Sequence, residues 1–320
     1  MRIGVNPEKN KNSQIQYKKH RIIIPVYIPE SDDAYFMNLL AVFKVSMNSL
    51  LNTIDINNTL ITVINNNCKK EVTKYVNSLL SEGLIDKHVI YKENYGKVFT
   101  ILSEARASYE DFITIADADV FYFNEWENKV FEVFRNFEKA GVVAPLPSPH
   151  AALYNNVSLF GCLWGRPKMK NVVDSDSFKL FEEGTNNSKI FQDRKYNWKE
   201  KQYYLEHNSI KTCVGSGHFI ATYRNIFKQI AILKPKYVFK QADENKHLDQ
   251  PFDLLGLCRL STLTTNAYHL GNTIPNWVKN YVFNNEKVRI PISNNKKIKN
   301  FNIYFFKLYI FKFLKVYKLI

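Results

Sequence analysis

The stretch Phe112–Phe123, FITIADADVFYF, decides the fold. A mostly apolar run, FITIA, stops at two aspartates one residue apart, Asp117 and Asp119, and apolar residues resume behind them. A short run of this kind reads as a buried strand reaching its end. Side chains at i and i+2 of an extended segment point the same way, so the two carboxylates make a compact cluster of hard oxygen ligands. Two like charges so placed repel unless a cation lies between them. The cluster suits Mg²⁺ or Mn²⁺, which keep open positions for water or substrate phosphate. The alternative is a solvated turn in which Asp caps the next element.

Outward from this stretch, strand and helix alternate about five times in the first 145 residues. RIIIPVYI (Arg21–Ile28) is a β-branched strand ending at Pro29, and residues 32–53 form an amphipathic helix that Asp32 and Asp33 can cap. TLITVINNN (59–67) is a second strand, followed by a helix over 69–83 with Gly83 as its stop. KHVIYKEN (87–94) is a strand, KVFTILSEARAS (97–108) a helix, and residues 111–120 the strand that carries the aspartates. A helix over 125–141 and the strand VVAPLP (142–147) complete the series. Crossovers of this length imply a parallel α/β sheet. Such sheets bind ligands at the carboxyl ends of their strands, where Asp117, Asp119, Asn65–Asn67 and Asn94 fall.

After Pro149 the rhythm changes. Residues 150–210 are polar and irregular, and a second D-x-D there, Asp174-Ser175-Asp176, precedes an amphipathic run and reads as a helix start. Residues 210–233, IKTCVGSGHFIATYRNIFKQIAIL, read as a strand, a glycine turn and a helix. HLDQPFDLLGLCRL (247–260) reads as a helix and TLTTNAYHLGN (262–272) as a strand with a loop. No internal repeat or low-complexity linker divides residues 21–285, which are expected to form one domain between a polar basic tail (1–20) and a C-terminal tail (286–320).

Hydrophobic residues make up 45% of the chain and charged residues 23%, which excludes a disordered class. Cys68, Cys162, Cys213 and Cys258 are scattered without CxxC spacing, so neither a disulfide framework nor a zinc site is expected, and a reducing compartment fits. The first twenty residues lack the apolar core of a signal peptide. The net charge of +14 is uneven: residues 286–320 hold nine Lys or Arg against one Glu, a net of +8. In KKIKNFNIYFFKLYIFKFLKVYKLI, Lys307, Lys312, Lys315 and Lys318 interrupt any bilayer-spanning run. On a helical wheel these lysines fall within about 140°, opposite Phe, Tyr, Ile, Leu and Val. A basic amphipathic helix of this kind lies in the interface of an anionic membrane, and the alternative is a helix packed on the domain with its lysines outward.

These features together resemble the nucleotide-sugar glycosyltransferases of GT-A fold, of the family 2 type. The resemblance covers roughly residues 21–275 and rests on IIIPVY in the first strand, ITIADADV at the expected depth, GSGHFIATYRNIF, and LDQPFDLLGLCRL some 130 residues after the aspartate pair. It implies a GT-A, Rossmann-like, mostly parallel sheet flanked by helices, with a nucleotide-sugar half (21–149) and an elaborated acceptor half (150–285). It also implies a divalent cation held by Asp117 and Asp119, with His269 where some such enzymes supply a further ligand. Pro25, Val26 and Tyr27 match the segment lining the nucleotide, Asn66 a base contact, and Lys97 and Asp117 positions near the donor. Asp249 matches the acid that deprotonates the acceptor hydroxyl in inverting members. Gln250 follows it where the family usually has a second acid, so Asp253 is the alternative base.

The chemistry fits these residue types. A nucleoside diphosphate leaves readily once a metal neutralises its oxygens, and a hydroxyl attacks once a carboxylate takes its proton. The implied partners are a nucleotide-diphosphate sugar donor, a glycan or lipid-linked acceptor, and an anionic membrane on the cytoplasmic side. A sugar nucleotidyltransferase is the nearest rival, but it would show a glycine-rich basic loop where VYIPESDDAYF is acidic. A non-catalytic nucleic-acid or glycan binder is the other. More than half of the excess charge lies in the apolar-interleaved tail, which favours a membrane over nucleic acid. His218 after GSG is either a sugar or phosphate contact or a strand residue, Gly215 and Gly217 permit close backbone approach, and Trp126 and Trp164 are either sugar platforms or core.

Overall fold

The computed structural model describes residues 3–10, 17–162, 165–192, 195–230, 241–284, 290–291, 301–317 and 319–320. Trp164 and Lys318 lie outside the described residues. The expected α/β sheet is present, and its first four strands are all parallel. They are β1 (His20–Val26), β2 (Thr59–Asn66), β3 (Lys87–Tyr91) and β4 (Phe112–Ala116), arranged β3-β2-β1-β4. Between them run α1 (Ala34–Met37), α2 (Leu39–Leu51), α3 (Lys70–Ser81) and α4 (Lys97–Ala107). Asp33 caps α1 by accepting from the Tyr35 amide at 2.8 Å, and Gly83 stops α3 with φ +70°.

Beyond β4 come β5 (Val120–Tyr122), α5 (Trp126–Asn136), β6 (Ala140–Ala144) and α6 (Val157–Phe160). Then follow β7 (Lys168–Lys170), α7 (Ser175–Thr185), β8 (Gln202–His207), β9 (Ile210–Val214) and β10 (Ile220–Arg224). The chain continues as α8 (Gln241–Glu244), α9 (Gln250–Leu254), β11 (Cys258–Ser261), β12 (Ala267–His269) and α10 (Phe301–Val316). The ten-stranded sheet extends past β4 in the order β10-β6-β11-β9-β8-β7, with β10 antiparallel to both neighbours. β5 and β12 form a separate antiparallel pair.

Alternation along the strands builds two cores, one on each face. Ile22, Ile24 and Val26 of β1 pack with Phe43 and Met47 of α2, Val72 and Val76 of α3, and Phe131 of α5. Ile23 points the other way, with Ile113 and Ile115, to Ile101 of α4 and Phe252 of α9. Period-two alternation with both faces apolar is what a sheet covered on both sides requires.

Two stretches expected to be helical are strands. Residues 220–224 form β10, central in the sheet, where Thr222 and Tyr223 are both buried, and Cys258–Ser261 form β11. The β-branched and aromatic residues of FIATYR suit a strand gap between β4 and β6, and that tertiary demand outweighs the local pattern. The region 150–210 is more ordered than expected. Its D-x-D starts α7, with Asp174 as N-cap accepting from the Asp176 amide, as the sequence indicates. Trp126 is fully buried with its Nε1 donating to Thr53 Oγ1 at 3.1 Å, so it is core.

α10 packs on α6 through Phe311, whose ring lies 6.2 Å from that of Phe160, and through Leu314. Gly161 admits the close approach, because a Cβ there would collide with the backbone of Lys307. The packed side is therefore the Lys307 side. Phe305, Phe306, Tyr309, Phe313, Val316 and Tyr317 face outward. Lys312 and Lys315 are exposed beside them, so the helix packs on the domain as in the alternative reading, but it presents aromatic side chains outward together with those two lysines.

Candidate active site

The carboxyl edge of the parallel strands gathers the candidate residues. In register, β1 places Val26 opposite Asn65 of β2 and Ile23 opposite Ile115 of β4, so Pro25–Tyr27, Asn66 and Asp117 lie along one edge. Antiparallel β10 pairs Ile220 with Ala116, which brings its own start, His218 and Phe219, to the same edge. The Asp117 amide donates to the Phe219 carbonyl at 2.8 Å and fixes the end of β4.

Asp119 and His269 meet because β5 and β12 pair, with Val120 opposite His269. The Leu270 amide donates to the Asp119 carbonyl at 2.8 Å, and His269 Nε2 lies 3.3 Å from Asp119 Oδ2. The other ring nitrogen, Nδ1, donates to the Gly184 carbonyl at 3.1 Å. A histidine tethered at one nitrogen by a backbone carbonyl presents the other as a metal ligand would. Gly184 itself sits so close that a Cβ would lie 3.1 Å from the His269 carbonyl. Asp117, Asp119 and His269 offer ligand atoms all within 4.8 Å of one another.

The electrostatics of this cluster are incomplete. Burial pushes the Asp119 carboxyl up from 3.8 to about 6, opposed by His269 and reinforced by Asp117. Lys97 Nζ lies 2.6 Å from Asp117 Oδ1 and 3.2 Å from Glu244 Oε1. Burial works against its charge, but Asp117 and Glu244 outweigh it and hold the ammonium above its usual range. Lys97 opens α4, and the loop before it is shaped by Asn66. The Asn66 side chain donates to Asn94 Oδ1 at 2.7 Å and accepts from the Tyr95 amide at 3.0 Å. The hydrogen bonds of Asn66 thus organise the approach to Lys97. Val26 is buried in the core, while Pro25 and Tyr27 are half-buried.

The two candidate bases differ from expectation in a shared way: both are fully buried. Asp253 accepts from the amides of Val157 and Ser158 at 2.9 and 2.7 Å and so caps α6. Asp249 is ion-paired with Arg259 Nη1 through Oδ1, and its Oδ2 accepts from the Tyr154 hydroxyl at 3.0 Å. It sits at the end of a wide turn in which the Gln250 amide bonds back to the Asn245 carbonyl. His218 Nδ1 lies 3.5 Å from Asp249 Oδ2, and its side chain is 41% exposed. Gly215, at φ +115°, is required because a Cβ would collide with the Ser148 carbonyl.

Sequence reasoning did not find Glu244, Arg259, Tyr154 or Gly184. Arg259 sits in the quoted LDQPFDLLGLCRL, and a buried carboxylate's need for a cation is the signal that could have raised it.

No protein-family model matches the chain, and no curated protein matches it in sequence. Among solved structures it is similar to the mannosyltransferase PcManGT from Pyrobaculum calidifontis in complex with GDP-Man and Mn²⁺, at 13% identity and a TM-score of 0.34. That match covers 46% of this chain and 40% of the other. It is also similar to S. aureus TarS 1–349 at 12% identity and a TM-score of 0.44, over 78% of this chain and 59% of the other. The same TarS fragment in complex with UDP-GlcNAc matches at 12% identity and a TM-score of 0.43. The chain thus spans about half the length of the structures it matches.

Proposed function

We propose that this protein is a metal-dependent glycosyltransferase that moves a sugar from a nucleoside-diphosphate donor to a hydroxyl of a glycan or lipid-linked acceptor, with inversion. The observation that carries the proposal is the Asp117–Asp119–His269 cluster at the carboxyl edge, with His269 tethered by Gly184. Two carboxylates and one imidazole suit Mn²⁺ or Mg²⁺, and the nitrogen ligand favours Mn²⁺. The raised Asp119 pKa marks a site that an added cation would complete. Such a cation supplies charge neutralisation for a departing diphosphate. Lys97, already beside Asp117, is placed to pair with the same phosphate oxygens, and Pro25 and Tyr27 flank the edge where a nucleotide would lie.

Calorimetric binding of a panel of nucleotides and nucleotide sugars, with Mn²⁺ and with chelator, tests this. One nucleotide class should bind only with metal, and Asp119→Ala should abolish that binding. If nothing binds with metal, or the variant binds equally well, the aspartates are a structural turn and the proposal fails.

The outward face of α10 supports a location. Phe305, Phe306, Tyr309, Phe313 and Tyr317 are exposed on one helix, bordered by exposed Lys312 and Lys315. Aromatic and aliphatic side chains beside lysines suit the headgroup boundary of an anionic bilayer. These features support, as part of the proposal, a peripheral position on the inner face of the cell membrane. Co-sedimentation should show binding to vesicles with 30% phosphatidylserine, reduced at least tenfold by Phe305→Ser with Phe313→Ser. Equal binding by that variant would remove the helix from the account.

A further inference from the structure

Asp249 cannot meet a substrate hydroxyl as it stands: it is fully buried, one oxygen is taken by Arg259 and the other by Tyr154. The accessible member of the group is His218. Its Nδ1 lies 3.5 Å from Asp249 Oδ2, and its ring meets that of Tyr154 edge-on at 5.7 Å. Arg259 is locked in turn, since its Nη2 donates to the Ser216 carbonyl at 3.0 Å, two residues before His218. An exposed imidazole thus lies beside a buried carboxylate, which is itself held by a buried guanidinium.

The position of this imidazole relative to the metal-type cluster follows from β10. The residue after His218 accepts from the Asp117 amide through its carbonyl, and its ring lies 5.2 Å from that of His269. His218 therefore stands beside the cluster, on the side contributed by residues 150–285. Around it lie Asp249, Glu244, Arg259 and Lys97 as charged groups, with Tyr154 and His150 as titratable neighbours.

We infer that His218, and not Asp249, takes the proton from the acceptor hydroxyl, and that Asp249 is a positioning residue which fixes the His218 ring. The inference rests on the transferase reading above. In the step, His218 Nε2 accepts the hydroxyl proton while the hydroxyl oxygen forms its bond to the anomeric carbon of the donor sugar. The bond from that carbon to the diphosphate oxygen breaks, and its electron pair leaves with the nucleoside diphosphate. The imidazolium then passes its proton to solvent. In this step the Nδ1–Oδ2 contact, 3.5 Å in the structure, shortens so that Asp249 accepts from Nδ1–H and the Nε2 lone pair is left free, the division of labour that an acid–base histidine needs. Burial holds His218 below its usual range, against the pull of Asp249, so the ring is neutral and proton-accepting at pH 7.

Two measurements on the full chain test the assignment. The first is ¹⁵N NMR of the histidine rings in the wild type, assigned by loss of one signal in His218→Gln. The Nδ1–H tautomer is expected, and an Nε2–H tautomer would overturn the dyad. The second is turnover with the donor that binds in calorimetry, using p-nitrophenyl glycosides and water as acceptor probes. His218→Gln should lose about 10²- to 10⁴-fold in kcat. Donor affinity with Mn²⁺ should stay within about twofold, and the acid limb of the wild-type pH profile should vanish. Added imidazole should restore part of the rate in His218→Gly. Wild-type turnover with undiminished His218→Gln turnover sinks this inference alone. A wild type that binds no nucleotide, or turns over neither probe, sinks the transferase reading and this assignment with it.

Discussion

Asp119 and Asp249 lie along the same edge of one sheet, yet their surroundings are opposite. Asp119 shares a cluster with Asp117, and their side chains are 21% and 29% exposed. Its neighbours leave the carboxyl raised to about 6. Asp249 is wholly buried, with one guanidinium, one hydroxyl and one imidazole around it. The first site has more negative charge than its protein partners neutralise, and it is open. The second is closed and already has its cation. A carboxylate of the first kind can take up a metal from solution, whereas one of the second kind can only orient its neighbours. On the proposed reading the difference separates ligand from support, although both residues are aspartates at strand or helix ends.

The sharpest way to break this comparison is to remove the cation from the closed site. Arg259→Met leaves Asp249 buried and unpaired, and loss of one partner of a buried pair costs about 3–5 kcal/mol. Urea unfolding should show a loss of that size. Arg259→Met combined with Asp249→Leu should recover much of it, since an apolar replacement of both partners is often close to neutral. A single variant as stable as the wild type would mean that Asp249 is relieved by water or protonation, and the closed description would be wrong.

How much of this was legible beforehand follows the same division. The open site could be read because a buried strand that ends in two carboxylates is visible as a break in an apolar run. The parallel strands β1 to β4 were legible for the same reason, each being a local apolar segment with a helix behind it. Asp174 was correctly separated from Asp117 by what preceded it, since only Asp117 follows a buried strand. Of the closed site only Asp249 could be read, because its burial, which calls for a cation, is not visible in the local sequence. Arg259 is ten residues from Asp249, and nothing local marks the two as partners. β10 was hidden as well, because a central antiparallel strand is fixed by the gap it fills between β4 and β6. The tail showed its helix, but the side that packs was set by Gly161 just after α6, far away in sequence. Local pattern records what a segment buries, while the choice of partner belongs to the tertiary fold.

A smaller effect sharpens the comparison at the open site. In the folded, metal-free protein the Asp119 carboxyl titrates near 6, above its ordinary 3.8. Between those values the folded state binds more protons than the unfolded one, so this group's penalty is complete above about pH 7 and is relieved as the pH falls. Urea unfolding in chelator at pH 7.5 and pH 5 should therefore show the wild type gaining about 1 kcal/mol, relative to Asp119→Asn, on going to the lower pH. The comparison with the variant cancels the titrating groups that lie away from the cluster. Saturating Mn²⁺ should abolish the difference and reverse the order of stability at pH 7.5, because the cation binds the ionised carboxylate of the folded state only. Parallel pH dependences for the two proteins in chelator would mean that folding does not penalise the ionised Asp119 carboxylate. The two carboxylates would then no longer differ in kind, and the cluster would have no deficit of positive charge for a metal to fill.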